Sequence, residues 1–104
     1  MPFRRGRFKD VIASQLALFE QEHGERLAAL PAAERRYDDA ERDEAEETYG
    51  DYLDAVGEAA ALLVELRDGY ARSLDLEPAE RYRAEFDRAA RRRYPRLAHE
   101  LDDD

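Results

Sequence analysis

Glu20 and His23, in the segment FEQEHGE, stand three positions apart, the spacing that puts two side chains on one face of a helix. Helical bundles use a carboxylate and an imidazole in that relation to hold a di-iron site. Such a site takes two of these pairs with further carboxylates beside them. This chain has one, and its other histidine, His99, falls in a C-terminal end expected to fray. A metal centre built on Glu20 and His23 would draw its second pair from another copy of the chain. The blander role for His23 is an ion-paired or hydrogen-bonded histidine at the edge of a core.

Two basic segments suggest a different chemistry. MPFRRGRFK gathers Arg4, Arg5, Arg7 and Lys9 with Phe3 and Phe8 interleaved, and RAARRRYPR gathers Arg91, Arg92, Arg93 and Arg96. Clusters of one sign attract an anionic surface. The chain carries a formal net charge of −9, which repels a phosphate backbone, so a protein partner is expected in preference to nucleic acid. The competing role for these arginines is neutralisation of the chain's own acids. Tyr49 and Tyr52 add apolar area with a polar tip, a combination enriched at interfaces, although packing at the rim of a thin core needs the same property.

Catalysis finds little to work with. There is no cysteine, which removes thiolate chemistry, disulfides and sulfur-ligated metals. The hydroxyl candidates Ser14, Thr48 and Ser73 stand in no elbow or triad-like setting. The glycines are isolated, so no phosphate-cradling loop is formed. The chain is expected not to be an enzyme and to carry no cofactor. No apolar run approaches the ~20 residues that cross a bilayer, and a soluble cytoplasmic protein is the expectation.

The elements that must position these residues are helices. Phe8, Ile12, Leu16, Phe19, Leu27 and Leu30 recur at steps of three and four, predicting a first helix over about 7–30. Pro31 favours a boundary, because it lacks an N–H and biases Leu30 away from helical angles. A second, central helix is predicted over about 31–74, with the stripe Tyr49, Tyr52, Val56, Ala59, Ala60, Leu63, Leu66, Tyr70 and Leu74, and with a possible kink at Gly50. A third is predicted over about 78–94, from Pro78 to Tyr94-Pro95, with Ala79, Tyr82, Phe86, Ala89 and Ala90 on one face. Segments 1–6 and 99–104 are expected to be flexible.

The fold expected is therefore all-α, one domain of three antiparallel helices with the long helix central. Folded at Pro31, the first helix lies on the acidic half of the central one, bringing His23 opposite Asp38, Asp39 and Glu41 and Phe8 near Tyr52 to Val56. Phe19 and Leu27 would then face charge, and off-stripe Leu18, Leu62 and Val64 add uncovered apolar surface, which together predict an oligomer. The stretch YDDAERDEAEETYGDY, residues 37–52, reads as an exposed helical strut supported by i, i+3 and i, i+4 charges. The function expected is a non-catalytic helical interaction module, an accessory subunit or adaptor that self-associates and docks a protein partner. The alternative is an oligomeric ferritin-like metal-binding protein using Glu20 and His23, and the third reading is a weak binder of nucleic acid or anionic surfaces.

Overall fold

The computed structural model describes residues 7–103, and they are helical throughout except at turns. In chain order the elements are α1 (Lys9–Glu22), α2 (Gly24–Asp38), α3 (Ala45–Ala71), α4 (Leu76–Arg93), a 3-10 turn (Pro95–Leu97) and α5 (Ala98–Asp103). None of the described helices is long and apolar enough to cross a membrane.

The all-helical class is as the periodicity predicts, but the breaks lie elsewhere. Pro31 does not end a helix; it sits inside α2. An interior proline costs a helix about 3 kcal/mol, and here packing outweighs it, because Leu30 and Ala33 on either side are buried against α3. The predicted first helix divides instead at His23, whose φ of −121° and ψ of 28° cap α1 and open α2. Gly24, which follows, is the residue type that marks helix ends. Hydrogen bonds from His23 N–H to the Phe19 carbonyl, 2.9 Å, and from Leu27 N–H to the His23 carbonyl, 3.0 Å, flank the break.

The predicted central helix is likewise interrupted, between Asp38 and Ala45: within the acidic stretch 37–52, residues 39–44 form the turn of the α2–α3 hairpin, while 37–38 end α2 and 45–52 open α3 as exposed or half-exposed helix. Asp39, Glu41, Asp43 and Glu44 place like charges three and four positions apart, which disfavours a helix through them. None of them reaches the core. The acids become favourable again at Glu46 and Glu47, in the first turn of α3, where the helix dipole attracts negative charge. Past that point α3 runs through Gly50 and Gly57 without a break.

Moving the turn from Pro31 to residues 39–44 shifts the whole register. Tyr37 stacks near Tyr49 with ring centroids 5.0 Å apart, and Arg26 pairs with Glu58 at 2.6 Å, so α2 lies antiparallel on the first half of α3. α1 lies beside the second half of α3, with Leu18 and Phe19 next to Leu62 and Leu66. α4 folds back along α3 and runs parallel to α1. Phe8 packs edge-on against Tyr82, centroids 5.4 Å apart, rather than near Tyr52, and Phe19 meets Tyr94 at 5.8 Å. Phe19 is consequently buried within the chain, and Leu27, Leu62 and Val64 are partly buried against the same core, whereas Leu18 stays 53% exposed.

The centre of the core is Leu63, Tyr82, Phe86 and Leu97, all fully buried. Tyr82 also meets Tyr70, centroids 4.8 Å apart, and donates its hydroxyl proton to Gln15 Oε1 at 2.7 Å. Burial pushes the Tyr82 phenol up to about 12. Leu101, in the end segment expected to be flexible, is buried in the same core.

Candidate functional site

The charges divide into those satisfied inside the fold and those that are not. Arg93, at the end of α4, pairs with Glu20 on α1, and Arg96 in the 3-10 turn grips Glu34 of α2 at 2.6 Å. The guanidinium pKa of each is raised, chiefly by the hydrogen bond to its glutamate. Tyr52 lies beside Arg96 and packs on the core. These arginines act as clamps between elements. Arg67 does the same more deeply: it is buried on α3 and donates to Asp68 at 2.8 Å and to Asp87 of α4 at 2.9 Å.

Between the parallel α1 and α4 runs a groove of about 910 Å³. Ile12, Ala13 and Leu16 of α1 and Ala89 of α4 form its floor, and Lys9, Arg88, Arg92 and Arg93 stand on its rim beside Glu85. The spacing explains the arrangement. Ile12 and Leu16, four apart, turn one face of α1 inward, while Lys9 and Ala13 fall on the neighbouring face. On α4 the core positions Phe86 and Ala90 leave Arg88 and Arg92, also four apart, together on the outer edge.

Glu85 is engaged, since its Oε1 accepts the Phe8 N–H at 3.0 Å. Among the described residues Lys9, Arg88 and Arg92 make no ion pair, so the rim keeps an uncompensated positive charge above an apolar, small-residue floor. Small side chains such as Ala13 and Ala89 allow a partner backbone to approach closely. That arrangement has the chemistry to receive an acidic surface that also carries apolar side chains.

The residues singled out from the sequence therefore separate. Lys9, Arg92 and Arg93 come together at the groove, Arg7 lies with its guanidinium 5.7 Å from the Phe8 ring centroid, and Arg91 is exposed on α4. Arg96 and Tyr52 lie on the α2 side, and Tyr49 is at the distant hairpin tip. Arg4 and Arg5 lie outside the described residues. Arg88 was not singled out; the signal for it was its four-residue spacing from Arg92, obscured by the run Arg91-Arg92-Arg93.

The Glu20/His23 pair is arranged differently from the metal reading. Glu20 turns to Arg93, while the His23 ring packs on Phe19, centroids 5.1 Å apart. His23 borders a shallow depression with Leu18, Leu62 and Leu66, and Asp38, Asp39 and Glu41 are at the hairpin tip instead of opposite it. Among the described residues no group of three or more His, Asp or Glu side chains is placed to hold a metal ion. The hydroxyls of Thr48 and Ser73 both donate to backbone carbonyls, Thr48 to Glu44 and Ala45 at 3.1 Å and Ser73 to Tyr70 at 2.6 Å.

No family model matches the chain, and comparison with curated proteins and with solved structures yields no match.

Proposed function

We propose that this chain is a non-catalytic helical interaction module whose docking face is the groove between α1 and α4. The observation that carries the reading is the rim of Lys9, Arg88 and Arg92, unpaired among the described residues although the chain's formal net charge is −9. A groove whose Lys9, Arg88 and Arg92 outnumber the Glu85 carboxylate beside them keeps a net positive rim available to a partner. The floor supplies apolar contact and the rim supplies orientation and a faster encounter with an acidic surface.

The test places a photo-activated cross-linking residue at Ala13, in the groove, and as a control at the exposed Ala28 on α2. Irradiation in the native host is expected to give a discrete protein adduct from position 13 and none from position 28. The double change Arg88→Glu/Arg92→Glu should abolish that adduct. Adducts independent of position, or adducts to nucleic acid alone, would overturn the reading.

A further inference from the structure

We infer that the acidic surface received by this groove is the α2–α3 hairpin tip of a second copy of the chain, giving a head-to-tail assembly. The inference rests on the reading of the groove as a docking face. The two surfaces complement each other in both charge and apolarity. At the tip Asp38, Asp39, Glu41, Asp43, Glu44 and Glu47 are all exposed and, among the described residues, free of ion pairs. Three apolar side chains stand next to them: Tyr37, Tyr49 and Leu53 are 38%, 45% and 47% exposed. Arg35, Arg36 and Arg42 are exposed among these acids but are outnumbered by them, so a net acidic patch beside an aromatic pair faces solvent on the same molecule that holds a basic rim over an apolar floor.

The tip cannot reach the groove of its own chain. α3 is an unbroken helix from Ala45, at the tip, past Leu66, which lies beside Leu18 of α1; that span is about 30 Å at 1.5 Å per residue. The molecule is accordingly drawn out, 57 Å long by 23 and 21 Å across. Because the two patches are different surfaces, the contact is heterologous, and each copy that docks leaves one tip and one groove open. Growth continues unless the geometry closes a ring. At about 0.1 M salt the screening length of ~10 Å hides the remote like charges and leaves the contact charges to act.

Sedimentation velocity over a concentration series tests this. The wild-type chain should show a mass that rises with concentration at about 0.1 M salt and falls back toward one chain at about 0.5 M, where the screening length shrinks to a few ångströms. Arg88→Glu/Arg92→Glu removes the groove, and Glu41→Lys/Asp43→Lys removes the tip at exposed turn positions outside both helices. Each variant alone, with its helical circular dichroism unchanged, should lose the concentration dependence. An equimolar mixture retains one intact groove and one intact tip, so it should associate although neither variant does so alone. A wild-type chain that stays monomeric, variants that associate like wild type, or a mixture that does not pair would overturn the inference.

The cross-link from Ala13 separates this from the broader reading. An adduct of twice the chain mass, joined to the 37–53 segment, supports self-assembly. An adduct to a different protein overturns self-assembly and keeps the docking face, and no adduct removes both.

Discussion

Arg67 sits where an apolar side chain would be expected, in line with Val56, Ala60, Leu63 and Ala71 on the buried face of α3. A guanidinium that is 5% exposed is tolerable only because its donors are used: Nε meets Asp68 Oδ1 at 2.8 Å and Nη1 meets Asp87 Oδ1 at 2.9 Å, while Arg83 Nε adds a bond to Asp68 at 3.1 Å. The hydrogen bond from Arg67 holds the Asp68 carboxyl below its ordinary value of 3.8 against the opposing effect of burial. Arg67→Met keeps the stem and removes the charge, leaving two carboxylates that are about a quarter exposed without their shared partner. Loss of a fully buried partner costs 3–5 kcal/mol; water reaching these acids reduces the expected loss to about 2 kcal/mol, readable in a denaturant titration. The pH dependence has a definite sign. Asp68 has a depressed folded pKa, so its contribution is present above 3.8 and is lost as pH falls through the lower folded value. Asp68→Asn should flatten the acid limb of the stability profile below about pH 4, and an unchanged limb would show that other groups govern it.

At the scale of elements the sharpest difference between α2 and its sequence is Pro31. In an interior turn the proline removes the donor that the Leu27 carbonyl would use and crowds that carbonyl. Pro31→Ala should restore about 3 kcal/mol to the helix and give back about 1 kcal/mol through a freer unfolded chain, for a net gain of about 2 kcal/mol. Had Pro31 been the corner of the hairpin, the same change would be neutral or destabilising, so thermal denaturation of this one variant discriminates the two registers. The true corner, residues 39–44, is a place where the helix has nothing to bury: neither Asp39 nor any residue from Glu41 to Glu44 is covered. Its acids were legible as a cluster, but their role depended on whether an apolar face lay beneath them.

The whole molecule is longer than its chain length suggests. A globule of this size has a radius of gyration of ~13 Å, whereas the Cα value here is 16.0 Å. The cause is the hairpin, which carries Tyr37 and Tyr49 away from the core centred on Leu63, Tyr82 and Phe86. X-ray scattering from a dilute sample at about 0.5 M salt, where charge contacts are screened, should return a value near 16 Å plus a hydration contribution. A value near 13 Å would mean that the hairpin folds back and that tip and groove are not at separate places. The segregation of charge follows the same axis, with Arg26 and Arg96 paired in the middle and, among the described residues, acids without ion pairs at the tip and Lys9, Arg88 and Arg92 without ion pairs at the groove.

Composition and periodicity alone determined the helical class, the inward faces of α1 and α4 and the separation of acidic from basic segments, because a 3.6-residue repeat and local charge are properties of neighbours along the chain. Phe8, Ile12, Leu16 and Phe19 are buried as their spacing predicts, and so are Tyr82 and Phe86. Tertiary structure decided where the hairpin turns and therefore everything that depends on register: that Glu20 meets Arg93 and not a metal-binding neighbour, that Arg96 is taken up by Glu34, and that Lys9 comes beside Arg88 and Arg92. A proline and an acidic run each carry a local preference of a few kcal/mol or less. Burial of Leu30 and Ala33 against α3 exceeds that preference at Pro31, while the acidic run has no buried residue to set against its repulsion.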